Sequence, residues 1–281
     1  MNLAIVGPGA VGSTLAFQLA RAGHRVTVVA RGQRLAQLQA TRAIVRNDGV
    51  RAEVDVAAEL DTTTSWDAVL VTVLAPQVAA VLPALTASRA RRVIFMFNTF
   101  ESLAPLREAV GAERFAFAFP AGVFCLLRDG VIHPTIRGGT VSGDGAWAKH
   151  FTDAGVPTEV EPDMQSWLRT HAAMVAPLMA IGVVAHEQKR GATWSESSRH
   201  AAAFTAGFEL VRAHGDAIRP AALGTLSRFP GVFLTLLFWF MSRSKLLRDL
   251  GALGATEPRM LIDMMKTAKP THAAALVAIR P

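Results

Sequence analysis

Leu3-Ala4-Ile5-Val6-Gly7-Pro8-Gly9-Ala10-Val11-Gly12 is the stretch that decides the fold. Its four apolar residues read as a buried strand. The G-x-G-x-x-G that follows opens a segment, Ala10–Arg21, whose apolar residues recur at helical spacing. In a strand–turn–helix unit of this kind each glycine has its own task. Gly7 makes the tight turn, Gly9 lets the backbone approach a diphosphate, and Gly12 lets the helix pack close to the strand. The helix N-terminus meets the diphosphate with unpaired N–H groups and the positive end of its dipole. Gly7, Pro8, Gly9, Ala10, Val11 and Gly12 are therefore the candidate turn for a dinucleotide.

The end of the second strand, Val26-Thr27-Val28-Val29-Ala30-Arg31, selects between nicotinamide cofactors. An NAD enzyme usually offers a carboxylate about 20 residues beyond the glycines to hold the ribose hydroxyls. This chain offers Arg31, with Arg34 close behind. A guanidinium grips a phosphate through paired hydrogen bonds, whereas a carboxylate repels it. The expected cofactor is NADPH, and an NAD-linked hydroxyacid or opine-type dehydrogenase is disfavoured.

Working outward, strand and helix patterns alternate through the first two-thirds of the chain. His24–Ala30, Ala68–Val73 and Arg92–Phe97 read as strands, Gln33–Gln39 as a short helix, and a further helix begins near Pro76. Asn47-Asp48-Gly49 marks a hairpin within Arg42–Asp55. The alternation predicts parallel crossovers and an N-terminal Rossmann-type doubly wound α/β sheet. Short β segments from Phe115 to Ser142 are expected to extend that sheet as its last strands. The character changes at Glu161-Pro162. Residues 1–161 are assigned to the cofactor domain and 162–281 to an all-helical domain for substrate and dimerisation.

With 51% hydrophobic and 18% charged residues, the 281-residue chain is excluded from the disordered class and fits a helix-rich globule. The single cysteine, Cys125, excludes an internal disulfide framework and points to a reducing cytoplasm. No signal-peptide pattern precedes the first strand. The apolar runs Ala172–Ala185 and Val232–Met241 fall short of the roughly 20 residues of a membrane span. They read as buried helices or as a subunit interface, so no membrane association is expected and a homodimer through the helical domain stays open. The net charge of +7 is spread over scattered arginines, and the chain has no Tyr. That pattern argues against nucleic acid and for a basic surface that draws in an anionic cofactor and a small substrate. No metal-ligand spacing and no G-x-S-x-G nucleophile motif occurs.

Several of these stretches together resemble the ketopantoate reductase (2-dehydropantoate 2-reductase) family. They are the N-terminal glycine motif, AGHRVTVVARG through Arg31, VLVTVLAPQ ending at Gln77, and Asn98 after VIFMF. SKLLRDL from Ser244 and TEPRMLIDMM from Thr256 look like the family's late Ser and Glu segments. The resemblance implies NADPH-dependent reduction of a 2-oxo acid. It places Asn98 against cofactor and substrate, Glu257 on a substrate hydroxyl, and Ser244 among the substrate contacts. It also marks departures. The cofactor-domain lysine of the family falls on Leu74. The catalytic lysine falls on Leu168, counting back from Pro177, or on Arg169, counting from Trp167, and the two asparagines after it become Ala or Pro. What the resemblance implies is thus a divergent member whose substrate is not ketopantoate itself.

His171 is the expected stand-in for the lysine. It lies three residues beyond Leu168 on the same helix face, and an imidazole titrating near neutrality can donate a proton. Arg169 is a candidate to hold a substrate carboxylate or polarise a carbonyl, and Lys245 is a third candidate. Two functional readings remain: an oxidoreductase reducing a carbonyl or imine of a small substrate, and a catalytically silent NADP(H)-binding sensor or partner protein.

Overall fold

Short apolar runs bounded by glycine or proline turns become strands, and the helically spaced runs between them become crossovers, in the computed structural model of residues 1–281. The first part of the chain runs β1 (Asn2–Val6), α1 (Ala10–Arg21), β2 (Arg25–Val29), α2 (Gly32–Thr41), β3 (Ala43–Arg46), β4 (Arg51–Glu53), β5 (Asp55–Ala57) and β6 (Ala68–Val71). It continues with α3 (Val78–Ala87), β7 (Val93–Phe95), α4 (Ala104–Val110), β8 (Phe115–Phe119), β9 (Val123–Arg128), β10 (Val131–Ile136), β11 (Thr140–Ser142), α5 (Gly145–Asp153) and β12 (Thr158–Val160).

Eight strands form one sheet in the order β12-β11-β8-β7-β6-β1-β2-β5. From β5 to β8 every pairing is parallel, and β11 then runs antiparallel to β8. Strand order reverses at β1, which has β2 on one side and β6 on the other. A doubly wound sheet opens its ligand crevice at such a reversal, beyond the carboxyl ends of the strands. The glycine turn leaves β1 at that end.

One expectation fails in the region from Phe115 to Ser142. β8 and β11 do join the large sheet, but β9 and β10 leave it. They form a hairpin over Asp129-Gly130, both at positive φ, and β10 adds in parallel to β3 of the predicted Arg42–Asp55 hairpin. The result is a separate four-stranded sheet, β4-β3-β10-β9. Its cause is the second apolar side of α1. Leu15, Ala16, Phe17 and Leu19 of that helix are all buried, and Ile44, Ala52, Val123 and Ile132 of the small sheet belong to the same core. Apolar alternation showed that β9 and β10 each had one buried face, but not what covered it.

The chain forms two compact units, one of residues 1–97 and 103–164, the other of residues 98–102 and 165–281. Composition alone marked a single change of character, near Glu161-Pro162. The second unit is built from helices: α6 (Met164–Glu187), α7 (Trp194–His214), α8 (Ala221–Leu226), α9 (Gly231–Met241), α10 (Lys245–Gly251), α11 (Thr256–Ala268) and α12 (Ala274–Val277). α6 is long and apolar enough to cross a membrane by length and composition, yet most of it is buried inside the protein. Ala172, Ala176 and Ala180 of α6 pack in one core with Phe204 and Phe208 of α7 and with Leu261 and Met265 of α11.

Small residues set how closely these helices approach. A Cβ built on Gly251 would fall on the Gly182 carbonyl, and one built on Gly182 would lie 2.7 Å from the Leu247 carbonyl oxygen. Backbone therefore rests on backbone where α6 meets α10. Gly251→Ala is expected to lower unfolding stability by about 1–3 kcal/mol through forced separation of the two helices. Urea unfolding is the measurement, and an unchanged midpoint would show that the crossing is looser than described.

Candidate functional site

Two of the three motif glycines serve packing. Gly7 adopts φ +90°, and a Cβ there would sit 2.5 Å from Val73 Cγ1, just beyond β6. A Cβ on Gly12 would collide with Thr72 Oγ1 and come within 2.7 Å of the Gly7 carbonyl oxygen. Gly9 is the reverse case, since a Cβ there meets nothing within 4 Å, and its backbone faces open space. Gly9 is also the N-cap of α1, with no side-chain cap and no acidic residue in the first turn. The first N–H groups and the dipole are thus left for an anion. The turn fits the diphosphate of a dinucleotide.

Thr72 lies outside the glycine motif and carries no signal of its own. Its hydroxyl hydrogen-bonds the Gly7 carbonyl oxygen (2.8 Å) and lies 3.2 Å from that of Val6.

The two arginines after β2 have separate fates. Arg34 donates from Nε to the Pro8 carbonyl (3.1 Å), from Nη2 to Ser13 Oγ (2.8 Å) and from Nη1 to the Gly130 carbonyl (3.3 Å). It clamps the glycine turn. Arg31 is the N-cap of α2, exposed, with its guanidinium in no ion pair or hydrogen bond. On the neighbouring strand Asp55 pairs with Arg25 at 2.9 Å, at the opposite end of β2 from Arg31.

In the second unit, residues 159 apart in sequence come together. Asn98 Nδ2 donates to Glu257 Oε1 at 2.5 Å. Burial pushes the Glu257 carboxyl above the usual carboxylate range, and the Asn98 hydrogen bond offsets only part of that rise. Asn98 Oδ1 is buried with no donor. The pair sets a carboxyl with a raised pKa next to an unused acceptor, a combination suited to a substrate bearing a hydroxyl or a carbonyl.

A profile of the ketopantoate reductase PanE/ApbA family matches residues 3–147. The chain belongs to this family. Its members are nicotinamide-dependent oxidoreductases. Solved structures agree on the fold. A PanE/ApbA family ketopantoate reductase from Ralstonia eutropha JMP134 matches with a TM-score of 0.74 at 20% identity, covering 100% of this chain and 97% of the other. The probable 2-dehydropantoate 2-reductase of Bacillus subtilis gives 0.72 at 16% identity, covering 100% and 98%. D-Mandelate dehydrogenase in complex with NADH gives 0.71 at 12% identity, covering 100% and 97%, and the same enzyme has been seen with NADH and anilino(oxo)acetate. No curated protein matches the chain in sequence.

The positions on which the sequence resemblance places the family's lysines are Leu74 and, in two alternative registers, Leu168 or Arg169. Leu74 is 41% exposed and uncharged, with its backbone N–H donating to Gln77 Oε1. In one register of α6, Leu168, Ala172 and Ala176 are all buried. In the other, Arg169 is already spent. It pairs with Asp216 at 2.8 Å, donates to the Phe100 carbonyl at 3.0 Å, and leaves its side chain only 10% exposed. Arg169 is therefore a satisfied buried cation rather than the expected clamp for a substrate carboxylate.

Ser244 likewise differs from expectation. It caps α10, accepting from the Leu247 N–H (3.2 Å) and donating to the Met241 carbonyl (2.7 Å). Its hydroxyl is committed to the helix end. Lys245 follows it on the exposed first turn.

His171 is stacked on Trp167, with ring centroids 4.9 Å apart and planes 8° from parallel. Desolvation pulls its pKa down to about 4, so the expected titration near neutrality does not hold. At neutral pH the ring is uncharged and can lend an N–H hydrogen bond, but it holds no imidazolium proton. The unfolded chain takes up this proton near pH 6.5, the folded chain only near 4. This group's contribution to stability is thus complete above about pH 6.5 and is lost as pH falls toward 4. The urea midpoint of the wild type is expected to fall across that window, and His171→Phe, which keeps a ring on Trp167, to flatten the fall. Equal slopes for the two proteins would refute the assignment.

Proposed function

We propose that this protein is an NADPH-dependent oxidoreductase that reduces a carbonyl of 2-oxo acid type, or an imine, in a small substrate other than ketopantoate. The observation that carries the reading is the unpaired Arg31 guanidinium at the end of β2, following a glycine turn whose own anchoring is already supplied by Arg34. A free cation there suits the 2′-phosphate that distinguishes NADPH from NADH. Gly9 and the first N–H groups of α1 would hold the diphosphate.

When bound, NADPH supplies the hydride from its nicotinamide ring. The chain's own residues supply binding and the proton. Asn98 and Glu257 orient the substrate oxygen, and burial raises the pKa of the Glu257 carboxyl in the direction that favours proton donation to an oxygen gaining charge. D-Mandelate dehydrogenase, with its NADH and its 2-oxo acid-like ligand, supports the substrate class by analogy of fold. The absence of a lysine favours a substrate unlike ketopantoate, and it also favours a second reading, an NADP(H)-binding protein without turnover. Consumption of NADPH with any of a panel of 2-oxo acids, ketones or imines excludes that second reading.

Cofactor titration separates the two arginines. Arg31→Ala is expected to weaken NADPH about 10- to 100-fold while leaving NADH unchanged, as befits loss of charge-assisted bonds to one phosphate. Arg34→Ala is expected to weaken both cofactors alike, because the turn itself loosens. An unchanged NADPH-to-NADH affinity ratio in Arg31→Ala would sink the cofactor assignment. With a turned-over substrate in hand, Glu257→Gln is expected to reduce kcat at least about tenfold with little change in NADPH affinity.

A further inference from the structure

α9 is apolar on every side yet buried on only one. Leu234, Thr235 and Phe238 are turned into the helical unit, where the Phe238 ring lies 5.8 Å from that of Phe204 on α7. On the opposite arc Phe229, Val232, Phe233, Leu236, Leu237 and Phe240 are exposed, Phe233 to 58% and Phe240 to 64%. Their spacing is that of one helix face. The sequence expectation is a buried helix or a subunit interface, and the inner half of α9 is buried. A contiguous aromatic and aliphatic strip of this kind on a protein surface marks a contact with something else.

Charge identifies the partner. No Asp or Glu occurs between Asp216 and Asp249. Arg228 precedes the exposed strip, and Arg243, Lys245 and Arg248 follow it. All four are exposed and none has an acidic partner, but Arg243 already donates to the Ala192 and Trp239 carbonyls, so Arg228, Lys245 and Arg248 are the cations left for an anionic partner. The Arg243 guanidinium lies over the Trp239 ring, 3.5 Å from its centroid. A second copy meeting this face about a two-fold axis would bring the same cationic border against itself, which is unfavourable. An anionic lipid surface offers phosphates to the border and acyl chains to the strip. The 11 residues of α9 span about 16 Å, roughly half the thickness of the hydrocarbon layer, so the helix can lie in the membrane plane but not cross it.

We propose that the exposed face of α9 is a membrane-docking surface that seats the helical unit reversibly on an anionic bilayer.

The test uses the full-length protein with vesicles of phosphatidylcholine alone or containing about one-third phosphatidylglycerol, read by co-sedimentation and Trp fluorescence. Binding to the anionic vesicles, weakening as salt rises, is expected. A Phe233→Ser/Phe240→Ser double variant, its fold checked by circular dichroism and thermal unfolding, is expected to lose more than about tenfold in partitioning. Failure of the wild type to bind anionic vesicles at low salt overturns the proposal. So does equal binding by the double variant, which would reduce the effect to surface charge. A wild-type dimer in analytical ultracentrifugation that the double variant dissolves also overturns it, since the strip would then be covered by a second copy.

Discussion

Where α1 leaves the glycine turn, backbone and β6 come so near that not even a methyl group fits between Gly12 and Thr72. That approach is the constraint on which the cofactor unit rests. It fixes the start of α1 over the reversal point of the sheet and points the helix N-terminus past Gly9 into open space. It also leaves the far side of α1 to be covered, which the small sheet β4-β3-β10-β9 does. Arg34 completes the arrangement by tying α2 to Pro8 and Ser13, and β10's hairpin to α2 through Gly130. The turn is held from three sides before any ligand arrives, which reduces the ordering cost of binding.

The charged groups of the two units follow one rule: a cation that meets acceptors becomes part of the scaffold, and one that does not is available. Arg34 and Arg169 are of the first kind and Arg31 of the second. The buried titratable groups of the helical unit follow a related rule. Desolvation favours the neutral form of both Glu257 and His171. Neutral donors in a water-poor setting stabilise a developing negative oxygen more strongly than the same groups would in bulk solvent.

Local signals made most of the cofactor unit legible. A strand period, a helix period and three glycines at fixed spacing are properties of neighbouring residues, so β1, α1, β2 and the turn could be read directly. Asn98 and Glu257 stand out by resemblance alone, and their hydrogen bond to each other could not be foreseen, because nothing local links positions so far apart. Other features were out of reach for the same reason. The partner of Arg169 is Asp216, on a later helix connection, and the clamp role of Arg34 depends on where Pro8 and Ser13 come to rest. The alternating pattern in β9 and β10 announced a buried face but not its sheet. Ser244 shows the converse error, a local capping signal passed over in favour of a distant likeness. In α9 a run of apolar letters concealed a division between an inner and an outer face, which only the packing of Leu234 and Phe238 reveals.

Residues 98–102 belong to the helical unit although β7 before them and α4 after them belong to the other. Within that short visit the chain delivers Phe100, 1% exposed, to the helical core, along with the amide that meets Glu257. The polypeptide therefore passes from one unit to the other three times, and the helical part is not a bead that can be cut from the string. Recombination at a single junction would hand a new host a helical bundle with a hole where an aromatic plug belongs, and a carboxyl without its partner.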